Sequence, residues 1–151
     1  MLVINRQQCS LPLLPEFANI LDQVLAQVQT TMSPESDSTM ASATIAPEIP
    51  SGYILKFRDP DYSAEHGGYH PVEVLVLPTG VLGYVTDFAY VGCPPYAELA
   101  KELDYDFSYG VFGHLGRDYP IHEGRELFLL FQQNFVSYYQ SGIFSVSVSP
   151  Q

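Results

Sequence analysis

Between residues 15 and 30 the apolar side chains recur at helical spacing. Phe17, Leu21, Val24 and Val28 form one stripe, Ile20 and Leu25 widen it, and Asp22, Gln23 and Gln27 face away. The spacing predicts an amphipathic helix over about 15–30. At about 25 cal/mol per Å² of apolar surface, leaving that stripe in water would forgo several kcal/mol, so the helix must dock. The candidate surfaces are the open face of the chain's own sheet or the equivalent face of a neighbouring subunit. Residues 31–50 then contain four Ser, three Thr and three Pro with no aromatic side chain, a composition that reads as a linker.

From residue 52 the period shortens to two. Tyr53, Leu55 and Phe57 alternate with Ile54, Lys56 and Arg58, which predicts a strand over 52–58. Val72, Val74 and Val76 alternate with Glu73, Leu75 and Leu77. Pro78-Thr79-Gly80 supplies turn chemistry, and Leu82, Tyr84, Thr86, Phe88 and Tyr90 then line one face of a third strand. These runs predict an antiparallel hairpin.

After Pro94-Pro95 the spacing lengthens again. Tyr96, Leu99, Ala100 and Leu103 share a helical face, and Ser108 caps a second short helix in which Val111 and Leu115 align before Gly116. A long helix follows Pro120, with Glu123 and Glu126 near its positive end and Gly142 just past it. Its expected apolar face is Leu127, Leu130, Phe131, Phe135 and Tyr138, widened by Phe128 and Tyr139. Finally, Phe144, Val146 and Val148 alternate with Ser145, Ser147 and Ser149, a half-exposed strand that must pair with an existing sheet edge. Grouped strands imply an α+β fold. The expectation is an antiparallel sheet of about four strands, a three-strand meander plus the C-terminal strand, with helices packed on one face and an N-terminal amphipathic helix in front. The expected organisation is a segment over 1–30, a linker over 31–50 and a core domain over 51–151.

Composition adds boundaries. The chain has 151 residues, 46% hydrophobic and 13% aromatic, which excludes wholesale disorder. Seventeen acids against six bases give a formal charge of −11, the wrong sign for a duplex-binding surface. Cys9 and Cys93 have neither a CxxC partner nor zinc-site spacing, so reduced thiols are expected. The first residues lack the layout of a signal peptide or a lipoprotein cleavage site, and no apolar window approaches a membrane span. A soluble cytoplasmic protein, monomer or homodimer, is the expectation.

The densest polar segment is residues 58–71, with Asp59, Asp61, Glu65, His66 and His70. Carboxylates beside imidazoles suit a divalent metal or general acid/base work. The spacing argues against a ligand set, because Gly67 and Gly68 break any helix that would stack His66 above His70. A loop whose aspartates satisfy backbone donors accounts for it more simply. No cofactor is expected, and among possible metal ligands only His66 and His70 stand as weak candidates. Asp87, on the strand face opposite the aromatic row, is expected to pair with Lys56 or Arg58 rather than act in catalysis. Cys93 at a strand-to-helix junction reads as a small buried hydrophobe rather than an activated thiol. Gly110, Gly113 and Gly116, spaced by three, lack the order of a phosphate cradle and are expected to let a helix approach the sheet. His114 and His122 read as surface or capping residues. Tyr84, Phe88 and Tyr90 resemble a stacking platform for single strands, but six bases are too few for the groove it needs, so core packing is expected.

The stretches FRDPDYSAEHGGYHPVE (57–73), YVTDFAYVG (84–92), ELAKELDYDFSYGVF (98–112) and GRDYPIHEGRELFLLFQQNFVSYY (116–139) are similar to a bacterial family of proteins of unknown function, DUF2787. The resemblance covers about 52–149. Because that family has no established activity, it implies no site residues. The sequence therefore reads as a small acidic, non-enzymatic binding or interaction module for a protein or small ligand. Two alternatives are a metal-assisted or acid/base hydrolase built on the 58–71 loop, and an acidic nucleic-acid mimic that occupies a DNA-binding protein.

Overall fold

The computed structural model describes residues 1–31 and 51–151. All but Thr31 of the expected linker lies outside the described residues. The elements follow as α1 (Pro15–Thr31), β1 (Tyr53–Arg58), β2 (Val72–Val76), β3 (Leu82–Val91), β4 (Glu98–Asp106), β5 (Val111–His114), β6 (Arg117–Pro120), a 3-10 turn (Ile121–Gly124), α2 (Arg125–Gln140) and β7 (Ser145–Pro150). The fold is α+β, with one seven-stranded sheet in the order β6-β5-β4-β3-β2-β1-β7. Every neighbouring pair is antiparallel.

The meander is twice as long as the periodicity indicates. The two short helices expected near 96–103 and 108–115 are strands β4 and β5, and β6 follows them. Glu, Leu, Ala and Lys in ELAKEL favour a helix locally, but pairing with β3 along Tyr84↔Asp106 to Val91↔Glu98 overrides that preference. The glycine trio serves turns and a strand rather than a helix contact. Gly110 (φ 67°) and Gly116 (φ 80°) are turn residues, and Gly113 lies within β5 opposite Asp104. Leu115 (φ 51°) and Gly116 form the two-residue turn between His114 and Arg117, the left-handed pair that a tight hairpin requires.

One face of the sheet carries the core. Leu55, Val74, Val85, Tyr105 and Phe112 follow one another in register across five strands, and all are buried. Phe57 of β1 meets Phe135 of α2 edge-on at 4.8 Å, and Phe17 of α1 meets Phe135 at 5.3 Å. Both helices therefore cover the same face. The expectation that α1 would close the open face, or a partner's, is corrected: Phe17, Leu21, Val24 and Leu25 join the single core cluster beside α2. The cause is the α2 surface, which offers Phe128, Phe131 and Phe135 to the Phe17 ring at 5.3–6.5 Å.

The buried stripe of α2 is also rotated from the expected one. Phe128, Gln132 and Phe135 are buried, whereas Leu130 is 51% exposed. Gln132 is fully buried because its Oε1 accepts the Leu14 N–H (2.7 Å) and its Nε2 donates to the Pro12 carbonyl (3.1 Å). The chain leading into α1 is thus tied to the middle of α2. Nearer the N-terminus, Asn5 donates its N–H to the Gly80 carbonyl (2.9 Å) in the β2–β3 turn. Gly80 has φ 83°, and a Cβ there would stand 2.1 Å from the Val3 carbonyl oxygen, so only glycine lets the N-terminal segment approach.

Candidate functional site

The geometry begins with a loop aspartate. Asp59, at the end of β1, is buried and accepts the N–H groups of Asp61 (2.9 Å) and Tyr69 (3.0 Å). Those two bonds fold residues 59–69 back on themselves and deliver His70 to the start of β2. The Phe88 N–H donates to the Pro71 carbonyl (2.9 Å), and Val72 pairs with Asp87. Residues 70 and 72 share a face by strand alternation. His70 consequently reaches Asp87 from the helix-covered side.

A β-bulge brings the third group. Asp87 pairs with Leu103 and Phe88 with Lys101, so Glu102 has no partner in the β3–β4 ladder. An unpaired extra residue re-aims its side chain, and Glu102 turns toward His70 instead of continuing the strict alternation. His70 Nδ1 lies 2.8 Å from Glu102 Oε2 and 3.3 Å from Asp87 Oδ2. The Leu103 N–H donates to Asp87 Oδ1 (2.8 Å), which fixes the carboxylate. Burial pushes the Asp87 carboxyl above its usual range, and the Glu102 charge adds to this; the Leu103 N–H and His70 pull the other way. The Tyr62 ring lies 5.5 Å from the His70 imidazole and covers its flank.

His70 and Asp87 of this cluster line a cavity of about 270 Å³ between α2 and the sheet. Val72, Leu103, Leu127, Phe131, Phe135 and Tyr138 supply apolar walls, and His70, Asp87 and Asn134 polar groups. Tyr69 and Tyr138, with ring centroids 4.5 Å apart, line its rim.

Of the five loop groups singled out from the sequence, only His70 belongs to the cluster. Asp59 is occupied in holding the loop. Asp61 is exposed, and Glu65 and His66 face each other in solvent at 4.0 Å with side chains 70% and 83% exposed. Asp87 does not pair with Lys56 or Arg58, because Lys56 lies on the other face beside Glu73 (3.9 Å). Glu102 escaped notice, since a helical reading of 96–103 places it nowhere near Asp87; only the bulge joins them. Cys93 is exposed rather than buried, and strand β4, not a helix, follows it. His114 lies on β5 with its ring 6.0 Å from Phe112, and His122 is exposed in the 3-10 turn.

Two depressions mark the other face of the sheet, which is uncovered among the described residues. One, of about 300 Å³, is bordered by Lys56, Arg58, Tyr62, Phe88, Tyr90 and Leu99. The other is lined by Asp104, Asp106 and Asp118. The first corrects the expectation that Phe88 and Tyr90 serve core packing: Phe88 is half-buried there, and Tyr90 is exposed.

An acidic α+β domain with two helices on one face of a seven-stranded antiparallel sheet, and a walled cavity between them, is the class that fold and site define. The chain belongs to the family described as Protein of unknown function (DUF2787), whose profile matches residues 15–149. The match takes in α1, which the resemblance read from the sequence left out. Two solved structures from Vibrio cholerae are similar along nearly the whole chain. One is a conserved hypothetical protein from pathogenicity island VPI-2, described as sharing structural homology with the human P32 protein. It is 30% identical with a TM-score of 0.74, over 95% of this chain and 98% of its own. The other is a hypothetical protein from the VSP-II pathogenicity island, 28% identical with a TM-score of 0.75 over 100% of both chains. No curated protein matches the chain. Among the described residues, no helix is long and apolar enough to cross a membrane.

Proposed function

We propose that this protein is a non-enzymatic binding module that holds a small, largely apolar ligand between α2 and the sheet. The cavity carries the reading. Its volume of about 270 Å³ lies just under the usual span for small-molecule sites, roughly 300–1,000 Å³. Its walls are mostly aliphatic and aromatic, with a few polar groups, His70, Asp87 and Asn134, among them, the division by which such sites combine affinity with orientation. No serine, threonine, cysteine or lysine lines it, so hydroxyl, thiol and amine nucleophiles of those four kinds are missing from the lining.

The alternatives have less support. The loop hydrolase needs Asp59, Asp61, Glu65, His66 and His70 together, and they are dispersed. A duplex mimic needs a continuous acidic surface, and Lys56 and Lys101 stand beside Glu73 and Asp104.

The test is a set of small aromatic and branched aliphatic probes added to isotope-labelled full-length protein. The expected result is saturable shifts of the Val72, Leu103, Leu127 and Tyr138 resonances, abolished by Asn134→Trp at the exposed rim. Shifts confined to the depression at Lys56, Tyr90 and Leu99 would overturn the reading.

A further inference from the structure

We infer that His70, Asp87 and Glu102 form a binding site for a divalent first-row transition ion of the zinc class. The inference stands apart from the ligand reading, since it requires only these three side chains and no occupant of the cavity.

The three donor atoms lie within 4.8 Å of one another, the one such group of histidine, cysteine and carboxylate side chains among the described residues. Ligands about 2.0–2.2 Å from one ion stand roughly 2.9–3.5 Å apart when they are neighbours in its shell. Of the two distances from His70 Nδ1, 3.3 Å to Asp87 falls within that spacing and 2.8 Å to Glu102 just below it. The imidazole nitrogen is then the shared corner of the shell.

Charge points the same way. Asp87 is only 8% exposed, and among the described ion pairs His70 is the one basic side chain that it and Glu102 share, with no lysine or arginine beside either. A buried carboxylate calls for a counter-charge. A divalent ion neutralises two carboxylates beside a neutral imidazole, and the chain's net charge of −11 favours its arrival. One nitrogen with two oxygens and no sulfur suits zinc and its neighbours, whereas calcium and magnesium prefer all-oxygen shells.

The site is also built in advance. The Leu103 N–H holds Asp87 Oδ1, leaving Oδ2 toward His70, the kind of outer bond that orients metal-ligating carboxylates. The bulge supplies Glu102. His70 and Glu102 side chains are 38% and 33% exposed, which gives an ion a path in. The acids of the uncovered face lack these features. Asp104 is taken by the Thr86 hydroxyl and Lys101, and Asp106 by the Ser108 and Tyr109 amides.

The experiment uses untagged full-length protein stripped with a chelator and then titrated with Co²⁺, followed by its visible absorption, and with Zn²⁺ in competition. One saturable equivalent is expected, with zinc displacing cobalt and equimolar Mg²⁺ or Ca²⁺ displacing neither. His70→Gln and Glu102→Gln, both at half-exposed positions, should each weaken binding about tenfold or more, while His66→Gln and Asp118→Asn leave it unchanged. Circular dichroism of each variant verifies that it folds. The inference is overturned if the wild-type chain shows no saturable equivalent, or if binding survives the His70→Gln/Glu102→Gln double substitution.

Discussion

The two faces of the sheet are made from the same strands, yet they obey different rules. On the covered face, Phe57 and Tyr105 of the sheet meet Phe135 and Phe128 of α2, and the polar Gln132 of α2 finds partners for both its Oε1 and its Nε2. On the uncovered face, Lys56, Glu73, Thr86 and Asp104 follow one another across four strands in register, joined by a side-chain hydrogen bond and a long ion pair. The first face resists change because its neighbours are fixed; on the second, water can replace a lost partner at Lys56 and Glu73, though not at the buried Thr86. The His70 cluster lies at the margin of the covered face, where buried carboxylate chemistry still meets solvent. A site needs both.

The contrast can be broken most severely at Phe135. Phe135→Ala removes the ring that meets Phe17, Phe57 and Phe144, and a loss of about 3–5 kcal/mol in unfolding free energy is expected from denaturant titration. Gln132→Ala should cost about 1–3 kcal/mol, because it leaves the Leu14 N–H and the Pro12 carbonyl without their partner. If Gln132→Ala were neutral, the covered face would hold the N-terminal segment by apolar contact alone.

Asp87 sharpens the comparison through pH. Its carboxyl is raised in the folded state, so the native protein binds that proton more tightly than the unfolded chain does. Stability therefore falls as pH rises from the unfolded carboxyl value, about 3.9, through the raised folded one. Asp87→Asn abolishes this contribution, so the variant should gain on the wild type as pH rises above about 4 in thermal melts at matched salt. A gain at the acid end instead would reverse the assignment.

Smaller effects belong to the uncovered face and the turns. Leu115 holds φ 51° with its side chain 71% exposed, so Leu115→Asn should stabilise by about 0.5–1 kcal/mol. Lys56→Ala, which removes an exposed pair 3.9 Å long, should change stability by no more than about 0.5 kcal/mol.

The legible parts of the fold were those whose period was undisturbed. Helix α1, the β1–β3 strands, α2 and β7 each carry a clean stripe or alternation, and each is present. Strand β4 was hidden because its outer half is exposed on both sides and its bulge breaks the alternation between Lys101 and Leu103. Lys101 and Asp104, three residues apart and 3.6 Å from each other, even mimic a helical pair. The β5–β6 turn uses leucine where asparagine would have announced it. In the site, His70 was visible as a residue type, but its partners were not. Asp87 reaches it through register and Glu102 through a one-residue irregularity, neither of which composition or spacing records.

The return of β7 to β1 sets the order in which the molecule can assemble. Strands β1 to β6 each pair with their neighbour in sequence, whereas the Ser51 hydroxyl donates to the Gln151 carbonyl across a separation of 100 residues. Closing a loop some ten times longer than a hairpin's costs about 2 kcal/mol more in chain entropy, and it gains little until α2 lies on the sheet. The meander is therefore the kinetic foundation, and β7 the last strand to settle. The same logic makes β7 early to leave: like β6 at the opposite edge it pairs with one strand, and among the described residues it has no neighbour on its other side, so amide exchange in the sheet should begin at the edges, β7 included. The edge strand is a latch on a structure whose body is already complete.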